Sequence, residues 1–251
     1  MTLTEFFHEN QKAAIAFSGG VDSAYLLYAA LQSGADVRAY YVKSAFQPQF
    51  ELDDARRLAE TLSADMRVLD VDILADETVA ANPSDRCYHC KKRLFTALAR
   101  AAAEDGYHVL LDGTNASDDA ADRPGMRALQ ELQVLSPLRL CGVTKTQVRR
   151  SAKAAGLFVW DKPSYACLAT RIPAGEPIRA EDLQRVERGE TALMDMGFTD
   201  FRLRLKDGGL LQVTEAQQPL ARTHWNEIID RLGGDFPALR LDETPRVTRE
   251  S

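Results

Sequence analysis

One pattern governs the first 115 residues: a short apolar run, a polar turn, then a longer stretch with apolar residues three or four positions apart. Residues 12–17 (KAAIAF), 36–42 (DVRAYYV), 66–73 (MRVLDVDI) and 107–115 (YHVLLDGTN) read as strands. Between them, the stretch from Val21 that Gly34 closes, residues 50–63 and residues 88–104 carry helical spacing. Parallel neighbours cannot be joined by a hairpin; they need a crossover, and the crossover is usually a helix. Regular alternation therefore predicts an α/β fold, a doubly wound parallel sheet with helices on both faces.

A further helix is expected over 143–156, after which the texture changes. KPSYACLATRIPAGEPI is rich in proline and glycine and has no period, as a functional loop and hinge would. Beyond it, residues 180–196 and 216–232 read as helices, the second stopping at Gly233-Gly234, and FRLRL and LLQV as strands joined across Lys-Asp-Gly-Gly. The expected organisation is a first domain over 1–165 and a small C-terminal α+β domain over 176–251, joined by the loop that carries Cys167. A chain of 251 residues, 45% of them hydrophobic, has the material for both cores.

Ser18-Gly19-Gly20-Val21-Asp22-Ser23 lies between the first strand and the first helix of this pattern. Two glycines there let the backbone turn tightly and approach a ligand, so that successive N–H groups and the helix N-terminus can hold phosphate oxygens. The Ser18 and Ser23 hydroxyls add donors. Asp22 would repel a phosphate directly, so it is expected to face a magnesium ion bridging the polyphosphate or to cap the helix. A Gly-Gly turn alone decides little, since many ligand-free junctions have one. The whole string SGGVDS resembles the signature of the PP-loop ATP pyrophosphatases, the family of NAD synthetase, GMP synthetase, argininosuccinate synthetase and the tRNA thiolases.

That resemblance implies ATP bound with Mg2+, cleavage between its α and β phosphates, and an adenylylated intermediate. It also implies that Ala16 and Phe17 at the end of the first strand, and Tyr41, Val42 and Lys43 at the end of the second, line the adenosine, with Gly113, Thr114 and Asn115 completing the pocket. All of these stand at carboxyl ends of parallel strands, where open α/β sheets bind ligands.

Of the four cysteines, Cys87 and Cys90 form a CxxC beside Arg86, Lys91, Lys92 and Arg93. Cations and a helix N-terminus lower thiol pKa, and the spacing lets both sulfurs meet one metal; a redox dithiol and half of a zinc site fit alike. Cys141 in LRLCGVTK reads as a small buried hydrophobe, although four thiolates together would make a structural zinc site. Cys167 is followed by Leu-Ala-Thr-Arg-Ile-Pro and preceded by Lys-Pro-Ser two residues earlier.

That segment, with RCYHCK, DGTNASDD, DRPGMRAL and SPL elsewhere in the chain, is similar to the LarE family of ATP-dependent sulfur transferases, which sulfurise the pyridinium dicarboxylate mononucleotide precursor of a nickel pincer cofactor. The likeness runs from Phe17 to about Gly197. In that family the cysteine at the position of Cys167 handles the sulfur. Members with it alone sacrifice their side-chain sulfur and become dehydroalanine; members with a further CxxC resemble iron–sulfur enzymes. The resemblance thus implies a 4Fe-4S cluster on Cys87, Cys90 and Cys167, three thiolates holding three irons and leaving the fourth open to an extra sulfide. Sacrifice of Cys167 is the alternative.

Asp118, Asp119, Asp122 and Arg123 crowd the stretch after the fourth strand, either as a solvated loop or, as the likeness implies, as a loop over the nucleotide in which Asp119 and Arg123 help place magnesium and substrate. Arg171, four residues past Cys167, offers a guanidinium fork for a substrate phosphate or carboxylate. Arg202 and Arg204 share one strand face by period two and could take a mononucleotide phosphate or decorate an exposed face. Glu190 and Glu131 resemble acidic positions of the family.

The reaction expected from these features is attack of a substrate carboxylate on the α-phosphate of ATP, then displacement of AMP by sulfur to leave a thiocarboxylate, with Asp22, Cys167 and Arg171 as catalytic residues. A tRNA thiolase would use the same loop and a similar cluster, but a net charge of −6 gives no general attraction for nucleic acid. An amidotransferase or ligase leaves the three cysteines unexplained, and a nucleotide sensor would keep the loop without the chemistry. The N-terminus lacks the basic start and apolar run of a signal peptide, and no stretch is apolar enough to span a bilayer. A cytoplasmic homo-oligomer acting on a small-molecule nucleotide, without membrane or nucleic-acid partners, is expected.

Overall fold

The computed structural model describes residues 1–118 and 124–247. Alternation along β1 (Lys12–Ala16) sends Ala13 and Ile15 to one face of a sheet and Ala14 to the other, and all three are fully buried, so this strand lies inside a sheet covered on both sides. The chain adds β2 (Asp36–Lys43), β3 (Met66–Asp70) and β4 (Leu110–Leu111), all parallel, in the order β3-β2-β1-β4.

Helix α1 (Leu3–Glu9) precedes β1, α2 (Val21–Gln32) follows it, and α3 (Gln49–Thr61) links β2 to β3. After the single turn α4 (Glu77–Ala80) come α5 (Arg86–Glu104), α6 (Pro124–Glu131), the short α7 (Pro137–Leu140) and α8 (Lys145–Ala154). Phe6 and Phe7 of α1, Leu26 and Leu27 of α2, Leu58 of α3 and Val148 of α8 join Ala13 and Ile15 in one core, while Leu98, Ala101 and Ala102 of α5 join Ala14 and Tyr40 in the other. Each Leu-sized side chain so buried contributes about 1.5–3 kcal/mol of transfer free energy. The doubly wound α/β expectation holds.

The strand order has a functional consequence. From β1 the chain winds outward through β2 to β3, then returns to place β4 on the other side of β1, so the winding reverses between β1 and β4. Connections leave such neighbours in opposite directions, and the carboxyl ends of the strands open into a crevice there.

The chain forms two compact units, one of Met1–Ile73 with Asp85–Lys162, the other of Leu74–Ser84 with the chain from Pro163 onward. The second contains α9 (Ala180–Asp195), α10 (Gln218–Thr223), α11 (Trp225–Leu232), and a sheet in which β5 (Phe201–Arg204) pairs antiparallel with β6 (Leu210–Val213) and β6 parallel with β7 (Arg240–Leu241). Residues 74–84 thus group with the smaller unit rather than with a 1–165 domain, and the loop around Cys167, expected to join the two domains, groups with the smaller unit as well. Backbone pairing is the reason: Ile178 N–H donates to Ala80 O at 2.7 Å, Gly175 N–H to Asn82 O at 2.8 Å, and Asn82 Nδ2 to Pro173 O at 2.8 Å. The expected strand over 107–115 shrinks to two residues, because Asp112 turns out of it to bind Thr114 and Ser136. The expected helix over 216–232 breaks at His224 into α10 and α11. Among the described residues no helix is long and apolar enough to cross a membrane.

Candidate active site

The loop after β1 is shaped by its two glycines. Gly19 has φ +74, and a Cβ there would lie 3.1–3.2 Å from Ala55 of α3, so both conformation and space call for glycine. Gly20 is the N-cap of α2 and supplies no side-chain cap, which leaves the first-turn N–H groups of a 12-residue helix available to an anion. Ser18 and Ser23 hold the loop across its mouth: their hydroxyls are 3.2 Å apart, Ser18 N–H donates to Ser23 Oγ at 3.3 Å, and Ser23 Oγ donates to Gly20 O at 3.1 Å.

The loop after β4 closes on it from across the switch point. A Cβ on Gly113 would stand 2.8 Å from Ser23 N and 3.2 Å from the Asp22 carbonyl carbon, so the two backbones touch where only glycine fits. Asp112, buried, fixes the exit from β4: its carboxylate accepts from the Ser136 hydroxyl at 2.6 Å and from the Thr114 hydroxyl at 2.5 Å.

Asp22 sits between these loops. Asn115 Nδ2 donates to one carboxylate oxygen at 3.1 Å and Lys145 Nζ to the other at 2.6 Å. Burial pushes its carboxyl above the ordinary value; the Lys145 ammonium and the Asn115 amide oppose that without cancelling it. The structure thus brings Ser18, Gly19, Gly20, Asp22, Ser23, Gly113 and Thr114 to one end of the sheet. Ala16 is half-buried at the end of β1. Tyr41 is buried in the core, and Lys43 donates to Gln47 O at 2.6 Å, so neither side chain opens freely toward a nucleotide. Asp119 and Arg123 lie outside the described residues.

Cys87 and Cys90 are the second and fifth residues of α5, Cys87 exposed with Arg86 Nη2 3.8 Å from its sulfur, Cys90 half-buried. Cys141 packs against the core at the end of α7, and burial raises its thiol pKa. Cys167 belongs to the other unit, capping a 3-10 turn over Leu168–Arg171. Among the described residues no three His, Cys, Asp or Glu side chains gather as a metal site within either unit.

Among the described residues Arg171 is the largest fully buried side chain. Its Nε and Nη2 bind the Glu190 carboxylate at 2.8 and 2.9 Å, while Nη1 donates to Ala166 O at 2.7 Å, Cys167 O at 3.3 Å and the Thr170 hydroxyl at 2.8 Å. Glu190 also accepts Leu203 N–H at 2.9 Å and the Tyr165 hydroxyl. The expected substrate-holding roles are thus not what these contacts serve: the Arg171 fork is spent on Glu190 and on the backbone around Cys167, and Glu190 on Arg171. Arg202 is buried, donating to Phe201 O and Ser164 O, and Arg204 reaches Gln212 and Thr170 O. Burial first, then the Arg171 and Arg246 charges, lower the Arg202 pKa to about 10, and the same causes lower that of Arg204. Glu131 pairs with Tyr88 and Lys92 on the surface.

The sequence reading missed Lys145, Asp112, Ser136 and Tyr165. Thr144 and Gln147 form a capping box that announces a helix start at Lys145, but no spacing rule links that lysine to Asp22, 123 residues earlier.

Comparison with known proteins adds to this geometry. The model of the family described as "Queuosine biosynthesis protein QueC" matches residues 12–93, the span from β1 into α5. A pyridinium-3,5-bisthiocarboxylic acid mononucleotide synthase of Lactiplantibacillus plantarum is 32% identical over 219 residues, 86% of this chain and 79% of that protein. An uncharacterised Synechocystis protein is 38% identical over 80% of this chain and 76% of its own length. A tRNA-specific 2-thiouridylase of Clostridium botulinum is 28% identical over 59% of this chain, which spans about half of that relative (51%).

Proposed function

Because this chain belongs to the LarE family, the pyridinium-3,5-bisthiocarboxylic acid mononucleotide synthases, we propose that it is an ATP-dependent sulfur transferase that converts substrate carboxylates of a pyridinium mononucleotide into thiocarboxylates. The observation that carries the reading is the uncapped start of α2 within SGGVDS, set at the switch point of the sheet in a chain so related to a named synthase. The first-turn N–H groups of α2 and the Ser18 and Ser23 hydroxyls take phosphate oxygens of ATP. A substrate carboxylate oxygen attacks the α-phosphorus, the bond to the bridging oxygen breaks, and pyrophosphate leaves with the electron pair. Sulfur then attacks the acyl carbon of the adenylate, and AMP leaves with the electrons of the carbon–oxygen bond.

Asp22 and the two serine hydroxyls are the all-oxygen donor set that Mg2+ takes, and the ion would neutralise phosphate charge there. In the smaller unit burial and the charges of Arg171 and Arg246 lower the pKa of Arg202 and Arg204, while Glu190 raises both. Neighbouring guanidiniums suit the phosphate of a mononucleotide, with Arg202 and Arg204 as its holders. Cys87, Cys90 and Cys167 are the soft donors an iron–sulfur cluster takes, and a 4Fe-4S cluster bound by them would supply transferable sulfide. Arg171 positions Cys167 by gripping the carbonyls on either side of its peptide.

A heavy-oxygen label in the substrate carboxylate tests the adenylylation: labelled AMP is expected, and unlabelled AMP formed in labelled-substrate turnover rules out an acyl adenylate. Metal analysis after anaerobic purification tests the cluster. Iron with acid-labile sulfide, lost in Cys87→Ser, is expected; zinc without iron defeats it.

A further inference from the structure

A closed circuit of hydrogen bonds ties three separate segments together beside the phosphate loop. Asn115 donates from Nδ2 to Asp22 Oδ1 at 3.1 Å, and its Oδ1 accepts Ser117 N–H at 2.8 Å. The Ser117 hydroxyl accepts Lys145 N–H at 3.0 Å, and Lys145 Nζ returns to Asp22 Oδ2 at 2.6 Å. The Thr144 capping box anchors the start of α8, and Ala116 N–H donates to Val143 O at 2.8 Å, so the backbone around the circuit is fixed while, among the described residues, the lysine head is held by its ion pair with Asp22.

That pair is poorly hydrated, the Lys145 and Asp22 side chains being 13% and 23% exposed. An ammonium at this depth needs an anion, and in the ligand-free protein Asp22 is that anion. ATP changes the balance. A carboxylate beside a polyphosphate is repelled unless a divalent cation stands between them, and a cation that claims Asp22 removes the partner of Lys145. The freed ammonium then lies beside phosphate oxygens, on a flexible four-carbon stem that can redirect its charge without moving α8.

We propose that Lys145 is a nucleotide-positioning residue: it neutralises Asp22 while the site is free of nucleotide and passes to the phosphate oxygens of ATP when the divalent cation takes the Asp22 carboxylate. The inference rests on the reading of SGGVDS as an ATP site. It differs from a structural ion pair because the ammonium serves two anions in turn, and Asp22 restrains it until the exchange. Removing the carboxylate should therefore release Lys145 to phosphate without any metal.

Calorimetric binding of α,β-methylene ATP to the full chain, with and without Mg2+, tests this in wild type, Asp22→Asn, Asp22→Asn/Lys145→Met and Asp22→Asn/Lys145→Arg. None of the Asp22→Asn variants leaves a carboxylate buried and unpaired at this position, and thermal unfolding verifies that each is folded. In EDTA, Asp22→Asn is expected to bind the analogue more tightly than wild type. Adding Lys145→Met should then cost about tenfold in affinity, the worth of one hydrogen bond to a charged group, and Lys145→Arg should restore most of it. Equal affinity of Asp22→Asn and Asp22→Asn/Lys145→Met, with wild type binding the analogue in Mg2+, overturns the inference and leaves the ATP reading standing. Failure of wild type to bind the analogue in Mg2+ overturns both.

Discussion

Replacing Gly113 by alanine puts a methyl group where two backbones already touch. The added carbon would stand 2.8 Å from Ser23 N and 3.2 Å from both Ser23 Cα and the Asp22 carbonyl carbon, where ordinary contact begins at 3.4 Å. None of those atoms is the end of a flexible side chain, so the start of α2 and the exit from β4 must separate by roughly half an ångström; overpacking of this kind costs about 1–3 kcal/mol. The effect on chemistry should be larger than the effect on stability. The strain falls on the turn whose N–H groups are proposed to hold phosphate, and a misplacement of about 1 Å costs on the order of a hundredfold in rate. Pyrophosphate release with ATP and the pyridinium dicarboxylate nucleotide is the assay, and urea unfolding gives the stability. Gly34→Ala is the control: φ there is +72 and a Cβ would meet nothing within 4 Å, so it should cost about 1–2 kcal/mol of backbone strain and leave the rate unchanged. Wild-type pyrophosphate release by Gly113→Ala, or an equal loss in Gly34→Ala, would refute the reasoning.

Other expectations follow from the two units. Glu190→Gln leaves the buried Arg171 guanidinium without its counter-charge and should lower stability by about 3–5 kcal/mol in urea unfolding; an unchanged midpoint would show that the pair is not buried as described. Cys167→Ser should still form pyrophosphate and the acyl adenylate but no thiocarboxylate, separating activation from sulfur transfer; a sulfurised product from that variant would remove Cys167 from the reaction. Burial raises the Cys141 thiol pKa, so less thiolate exists at a given pH, and iodoacetamide should label it after the exposed Cys87 at neutral pH and catch up only as the pH rises. Equal labelling by peptide mapping at neutral pH would contradict its packing against the core.

The sheet was legible because β1, β2 and β3 announce themselves by local pattern, and parallel pairing follows from the crossovers between them. Helix α1 was also within reach, since Thr2 and Glu5 form the capping box that its sequence spells, but it escaped notice. Contacts between distant residues were not legible. Nothing local in residues 74–84 says that Ala80 and Asn82 will pair with Ile178 and Gly175. The phosphate loop could be read because one short string holds its glycines, serines and aspartate together. Gly113 could be placed at a strand end but not against Ser23, since that contact depends on how closely β4 approaches α2. Arg171 shows the opposite difficulty: its guanidinium chemistry suggests an anion partner, and the sequence does not say that the partner is the chain's own Glu190.

The most direct test of the account is mass spectrometry of the nucleotide product after anaerobic incubation of the cluster-loaded enzyme with ATP, Mg2+ and the pyridinium dicarboxylate mononucleotide. The account predicts a product heavier by the difference between sulfur and oxygen, formed with one AMP and one pyrophosphate for each sulfur transferred. Recovery of unaltered dicarboxylate, or a thiocarboxylate formed without ATP cleavage, would contradict it.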